Sequence, residues 1–247
     1  MISLIFLAAA SAAPVAPLEP RFTQCVAMIE ADAENAVEFA NKWRLENSGI
    51  SARLCLGLAY AAQARWAAAA TVFEQAAQDG EKAGDARSAR LWVQAGNAAL
   101  ASGNATKARA MLDAGISAAT LTGDQAGEAH LDRARAMAAL KDNKGARADI
   151  DKALTLVPAD PLTWLLSATL ARRSGDLARA AADIKEAAKR SPDDASVALE
   201  AGNIAILSGS EAAARSAWEA AVKLSPDSDA GKAAAASLSQ LRAAPAP

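Results

Sequence analysis

Aromatic residues and the side chains that most often carry chemistry are scarce in this sequence. Aromatic residues make up 4% of the 247 positions, and the one histidine is His130. There is no HExxH, GxSxG, P-loop or CxxC arrangement, and no His, Cys and carboxylate residues cluster at metal-ligand spacing. A lone histidine in a helical segment is usually a packing or surface residue. These absences argue against an enzyme, a metal site and a bound cofactor.

The chain also lacks an excess of charge of either sign. Its 26 basic and 28 acidic residues give a net charge of −2 and are spread evenly along the sequence. A nucleic-acid-binding surface needs clustered Lys and Arg, and an interaction tail needs a block of like charge. Neither is present. The charge pattern therefore argues against nucleic acid as a partner and favours no other class.

The apolar run at the amino terminus is too short to cross a bilayer, which takes about 20 residues. Residues 2–10 read ISLIFLAAA, and the small-x-small triplet Ala10-Ser11-Ala12 and a Pro-rich joint follow them. Residues 1–20 thus resemble a signal peptide, although no Lys or Arg precedes the apolar run. We expect a periplasmic or secreted protein without stable membrane insertion. The alternative is a cytoplasmic protein with an uncleaved leader.

Only two cysteines are present, Cys25 and Cys55. Each lies about five residues inside a predicted helix, and one antiparallel helix separates these two, so both thiols are expected at a similar height. In an exported chain this arrangement favours a disulfide. The bond would close a loop of about 30 residues and stabilise the fold by roughly 3 kcal/mol. The alternative is two unlinked buried thiols.

Alanine dominates the sequence, and nearly every segment is rich in strong helix formers. The sequence also repeats itself with a period of 34 residues. Residues 161–194 and 195–228 align without gaps, and a third copy precedes them. The matched residues are Gly175 with Gly209, Ala180 with Ala214, Ile184 with Trp218, Ala187 with Ala221, Pro192 with Pro226, and Ala146, Ile150, Ala153 and Pro158 one period earlier.

The chain resembles the tetratricopeptide repeat (TPR) family, whose unit is a 34-residue helix–turn–helix. Two earlier copies carry the fuller motif, with Leu56, Gly57, Tyr60, Ala69, Phe73 and Ala76 in one and Trp92, Gly96, Gly103, Ala108 and Leu112 in the next. The resemblance implies an all-α, right-handed α-solenoid. Its expected parts are an N-terminal helical cap (21–48), an array (49–228) of five units (50–88, 89–126, 127–160, 161–194 and 195–228), a capping helix (229–242) and a tail (243–247).

The recurring residues have physical reasons. Small residues at positions 8 and 20 of each unit let its two helices approach closely, and large residues at positions 4 and 24 fill the space beside that contact. Glycine is expected in the turn because it readily adopts a positive φ, and Pro158, Pro192 and Pro226 should end second helices.

Two departures from the repeat are visible. Units one and two have periods of 39 and 38 residues, and the extra residues near Gly84 and Gly123 should extend the second helix or its exit loop. In unit three, His130 and Arg133 occupy positions that are usually apolar. The first helix of that unit could therefore be shifted by one residue.

Family resemblance implies that positions 2, 5, 9, 12 and 13 of the first helices line a concave groove for a peptide or protein. Asn97 and Asn203 could bind a peptide backbone, and Arg135, Arg172 and Arg173 a carboxylate. The alternative is that these residues, with Arg90, are solvated helix positions. Members that clamp chaperone tails have Lys at position 5. This chain has Val93 and Leu199 there, which argues against such tails. The candidate partner-binding residues are Arg90, Asn97, Arg135, Arg172, Arg173 and Asn203.

The sequence thus predicts a non-enzymatic scaffold or adaptor for a protein or peptide, and the leader predicts that it works in the bacterial cell envelope. The alternatives are a cytosolic scaffold and an accessory subunit of an envelope enzyme. The pattern predicts neither the partner nor the oligomeric state.

Overall fold

A computed structural model describes residues 19–46 and 49–243, and this part of the chain forms thirteen α-helices and no strand. The predicted all-α repeat solenoid is confirmed. The predicted leader lies outside the described residues apart from its last two positions, and the predicted tail lies outside them apart from Ala243.

The helices follow one another as antiparallel neighbours. α3 to α12 form five hairpins, called units one to five, each with a first and a second helix. The bounds are α1 Pro20–Ala31, α2 Ala33–Glu46, α3 Ile50–Ala62, α4 Trp66–Ala83, α5 Ser88–Ala101, α6 Ala105–Ser117, α7 Gly123–Ala139, α8 Asn143–Leu156, α9 Pro161–Arg173, α10 Leu177–Arg190, α11 Ala195–Leu207, α12 Glu211–Leu224 and α13 Asp229–Ala243.

Short polar side chains fix where many of these helices begin. Asn104, Asp142, Asp160, Asp176 and Asp194 each precede a helix and accept a hydrogen bond from a backbone N–H in its first turn. Such caps satisfy N–H groups that have no partner inside the helix. Because the capping position recurs from unit to unit, the hairpins repeat with nearly the same geometry.

The turn between the two helices of a unit needs a left-handed residue. Gly103, Gly175 and Gly209 have φ values of 82°, 82° and 78°, as the sequence predicts. At the same turn of units one and three, Ala64 and Lys141 adopt φ values of 54° and 64°. A side chain in this conformation costs about 1 kcal/mol, so these two turns are strained relative to the other three.

In each unit the first and second helices contact each other through the small residue at position 8 and the large residue at position 24. A Cβ added at Gly57 would lie 2.3 Å from the ring of Phe73, and one at Gly202 would lie 2.4 Å from Trp218. The second helix therefore packs directly onto the glycine. Units three and four have alanine at position 8, and there the facing residue is isoleucine. These pairs are Ala134 with Ile150 and Ala168 with Ile184.

The extra residues of the first two units lie in different places. α4 is 18 residues long, so in unit one they extend the second helix. In the second period they instead form the start of α7, which begins at Gly123 rather than at residue 127. Gln125 accepts a hydrogen bond from the Thr122 N–H (3.3 Å) and fixes this start. The expectation that residues near Gly123 extend the preceding helix or its exit loop was therefore wrong.

His130 and Arg133 keep α7 in the unshifted register, because both contact a buried carboxylate. Arg133 donates to Asp149 from Nε and Nη2 at 2.7 Å each, and His130 Nδ1 lies 3.0 Å from the same group. Arg133 also donates to Asp113 of unit two at 2.8 Å. Burial alone would raise the pKa of Asp149, but the hydrogen bonds from Arg133 and His130 outweigh it and hold this pKa below its usual value.

The first two helices cover the N-terminal end of the array. α1 contacts both α2 and α3, and the helical conformation is interrupted at Asp32 between α1 and α2. Cys25 of α1 and Cys55 of α3 are fully buried, with their sulfurs at disulfide-bonding distance and their Cα atoms 6.0 Å apart. Trp43 of α2 packs in the same cluster. This end of the solenoid therefore has its own small core.

The last helix, α13, covers the opposite end. Ala234 and Leu238 pack against Ala214, Trp218 and Ala221 of α12. The apolar face of the last unit is thereby removed from water, as repeat arrays require. None of the helices in the described part is long and apolar enough to span a membrane.

Candidate peptide-binding groove

The first helices of the units line the inner side of the array. α5 contacts α7 and α9 contacts α11, whereas no contact of similar extent joins successive second helices in the described part. Curvature of this kind produces one extended concave face. Two clefts lie along this face.

The central cleft lies between α7 and α9 and has a volume of about 350 Å³. Its polar wall is cationic, and no carboxylate of the described chain lines it. Its floor and remaining walls are apolar. The lining residues are Arg135, Lys141, Arg173 and Thr169, with Leu131, Ala134, Ala138, Ala139, Ile150, Leu166 and Leu170.

The N-terminal cleft lies between α5 and α7 and has a volume of about 410 Å³. Its lining residues are Asn97, Leu100, Ala101 and Arg135. Arg135 therefore belongs to both clefts and joins them into one groove. The Oδ1 atom of Asn97 is buried and accepts no hydrogen bond from the described residues.

Asp132 lies beside the shared wall of the two clefts. Its carboxylate accepts a hydrogen bond from Arg135 (3.2 Å), and its side chain is 16% exposed. Burial raises the pKa of Asp132, and the interactions with Asn97 and Arg135 oppose this effect only in part. Asp132 thus interacts with both Arg135 and Asn97, and its carboxylate partly neutralises the positive charge of Arg135.

The candidate residues divide between the clefts and other surroundings. Asn97, Arg135 and Arg173 line the clefts, whereas Arg90 is exposed and lines neither. Arg172 donates to Glu200 at 2.6 Å, and Glu200 is buried. Asn203 contacts the same carboxylate (3.4 Å) and accepts a hydrogen bond from the Trp218 indole (3.1 Å). Arg172 and Asn203 therefore act in contacts inside the array.

Sequence reasoning missed Lys141 and the floor residues Leu166 and Leu170, whereas Leu131 and Thr169 of the same cleft hold predicted groove positions. Lys141 stands at the turn position where three other units have glycine, and this departure from the repeat was the available signal. Within the described chain, neither Lys141 nor Arg173 forms an ion pair, and no three His, Cys, Asp or Glu residues are placed to hold a metal ion. The two clefts are lined by cationic, polar and apolar groups.

Comparison with solved structures shows the same architecture elsewhere. PilW, described as a widely conserved type IV pilus biogenesis factor, superposes with a TM-score of 0.73 at 18% identity, over 86% of this chain and 95% of that one. PilF of Pseudomonas aeruginosa gives 0.69 at 16% identity, over 88% and 96%. YrrB, a TPR protein with an unusual peptide-binding site, gives 0.58 at 16% identity, over 80% and 96%. These likenesses concern the fold.

Sequence comparison identifies the family. No curated protein has significant sequence similarity to the chain. The tetratricopeptide repeat profile, however, matches residues 93–161 and 165–229, which together are more than half of the sequence. The chain therefore belongs to the tetratricopeptide repeat family, whose members generally act as protein-interaction scaffolds.

Proposed function

We propose that this protein is a non-enzymatic scaffold of the bacterial cell envelope, and that it holds a peptide or protein partner in its concave groove. The observation that carries the proposal is the pair of clefts joined at Arg135, which combine an apolar floor with the cationic groups of Arg135, Lys141 and Arg173. Ligand sites typically have this composition. The groove is open along the array, so an extended segment can run through it.

An envelope location is supported by two features of the chain and by one protein that shares its fold. Residues 2–12 read as an apolar run and a small-x-small triplet, the pattern of a cleaved signal. The cysteines Cys25 and Cys55 lie at disulfide-bonding distance, and such bonds persist mainly outside the cytoplasm. PilW, which shares the fold, is a pilus biogenesis factor, and a pilus is an envelope structure.

Site-specific photo-cross-linking in cells tests the use of the groove. A benzophenone amino acid replaces Thr169, which lines the central cleft, and in a matched strain it replaces Lys185, which is exposed on α10. We expect a light-dependent adduct with a protein from position 169 and none from position 185. Identical products at both positions, or no adduct at position 169, would contradict binding in the groove.

The location is tested by cell fractionation and intact mass measured without reductant. We expect the protein in the envelope fraction, lacking about a dozen N-terminal residues. The mass should also be lower by two hydrogens because of the bond between Cys25 and Cys55. A full-length cytoplasmic protein with two free thiols would overturn the envelope assignment and leave the groove assignment standing.

A further inference from the structure

The central cleft has a more specific chemistry than a general interaction surface. Three cations line it, Arg135, Lys141 and Arg173, and the apolar residues Leu131, Leu166 and Leu170 form its floor beside them. Lys141 and Arg173 have no ion pair within the described chain, and Arg135 shares its charge with Asp132 alone. The cleft therefore keeps an excess of positive charge next to apolar surface.

The neighbouring arginine provides a contrast. Arg172 is adjacent to Arg173 in sequence, yet its guanidinium is neutralised by the buried Glu200 of unit five. Free positive charge on this part of the concave face is thus confined to the central cleft. Uncompensated charge of this kind favours a ligand of opposite sign, because a carboxylate bound there replaces water around the guanidinium groups with charge-assisted hydrogen bonds.

Lys141 adds a second line of argument. It occupies the left-handed turn (φ 64°) at which units two, four and five have glycine. Ala64 shows that the turn tolerates other residues, so the strained backbone does not by itself imply a role. Lys141 differs from Ala64 in that it lines the central cleft. Unit three therefore has a cation that lines the groove at a turn position where the backbone disfavours a side chain.

The N-terminal cleft extends the groove beyond the central cleft. Arg135 lines both clefts, and Asn97, Leu100 and Ala101 line the N-terminal cleft beyond it. A polypeptide that passes Arg135 can occupy both clefts while its carboxylate side chain lies among the three cations.

We propose that the partner is an extended polypeptide segment with an internal Asp or Glu next to an apolar side chain, bound with the carboxylate between Arg135, Lys141 and Arg173. The inference rests on the proposed function, since it names the ligand chemistry of the same groove. An internal carboxylate is distinguished here from a C-terminal one by the continuity of the two clefts.

Peptide pools test the proposal directly. Nonapeptides acetylated and amidated at their ends carry Glu, Gln or Lys at the centre, Leu two positions away and mixed uncharged residues elsewhere. A fourth pool has no acidic residue and a free C-terminal carboxylate. Immobilised protein is incubated with each pool, and retained peptide is quantified by mass spectrometry. We expect the Glu pool to be retained roughly tenfold better than the Gln pool, as one charge-assisted contact would give.

Matched variants show which residues cause the preference for Glu over Gln. In Arg135→Ala/Arg173→Ala the ratio of Glu to Gln retention should fall to about one, whereas Lys185→Ala should keep the wild-type ratio. Lys141→Gly should lower the ratio without weakening the fold, because glycine is the residue that other units use at this turn. This variant therefore separates binding from folding.

The outcomes are distinguishable. Equal retention of Glu and Gln pools, a ratio unchanged in the double variant, or preference for the free C-terminal carboxylate would overturn the inference and leave the groove's function intact. Retention of no pool by the folded protein would overturn the proposed function as well.

Discussion

Asp149 keeps its charge inside the molecule because Arg133 and His130 surround its carboxylate. Burial of an unpaired charge would be strongly unfavourable, so the three residues form one structural unit. We expect Arg133→Ala to lower the free energy of unfolding by about 3 kcal/mol, because it leaves Asp149 buried with one weak partner. Urea denaturation measures the loss.

Arg109→Ala is the matched control for this substitution. Arg109 is about half exposed, and its carboxylate partners, Asp113 and Asp142, lie 4.0 and 3.6 Å away. Exposed pairs of this kind contribute little, so the control should lose less than about 1 kcal/mol. Similar losses in the two variants would show that the Asp149 network contributes no more to the free energy of unfolding than an exposed ion pair does.

The two perturbed carboxylates of unit three should respond to pH in opposite directions. The native pKa of Asp149 lies below its ordinary value of 3.8, so its contribution to stability is complete above pH 3.8 and is lost as pH falls through the native pKa. The native pKa of Asp132 is raised above 3.8 by burial. Its contribution is therefore complete below pH 3.8 and is lost as pH rises through the native pKa.

Urea unfolding between about pH 2.5 and 6.5 measures both effects, since ordinary carboxyl pKa values fall inside this range. We expect Asp149→Asn to lack part of the wild-type loss below pH 3.8. Asp132→Asn should lack part of the loss above pH 3.8. Profiles parallel to that of the wild type in both variants would contradict these assignments.

At the scale of the helical pair, the residues at positions 8 and 24 vary together in four of the five units. Glycine faces the large side chains of Phe73 and Trp218, whereas alanine faces Ile150 and Ile184. Unit two is the exception, because there Gly96 faces Leu112. Close packing makes such pairs sensitive to the addition of one methyl group.

Unit five provides the test of this rule. In Gly202→Ala the new Cβ would lie 2.4 Å from Trp218, and we expect a net loss of about 2 kcal/mol despite the better helix propensity of alanine. Adding Trp218→Ile recreates the pair found in units three and four. The double variant should be more stable than the sum of the two single losses implies, by about 1 kcal/mol or more in thermal or urea unfolding. Additive losses would show that the pair is not coupled.

The same scale shows what the sequence could and could not predict. The helices, the glycine turns and the small-residue contacts follow from one repeated register, which residues 161–228 display without gaps. The start of α7 was missed because Gly123 resembles a turn residue until the Thr122–Gln125 contact is known. The pairing of Arg172 with Glu200 joins successive units, so a pattern within one unit cannot reveal it. Whether a groove residue is free for a partner depends on such contacts.

At the scale of the whole molecule, the array is nearly one-dimensional. Each unit contacts mainly its sequence neighbours, and the two ends are covered by different means. The N-terminal end has a small core around Cys25 and Cys55, whereas the C-terminal end depends on α13 alone. In such arrays stability is a sum of unit terms and neighbour terms, so damage at one end stays local.

Removal of α13 tests this locality. Truncation after Ser228 deletes Ala234 and Leu238 and exposes the apolar face of α12 around Trp218. Loss of the Leu238 contact alone should cost about 2 kcal/mol, so amide hydrogens of α11 and α12 should exchange faster. Those of α3 and α4 should keep their protection, because four units separate them from the cut. A control truncated after Ala243 should exchange like the full chain. Uniform acceleration along the array would mean instead that the units unfold together, and that the groove at α5, α7 and α9 depends on the far end of the solenoid.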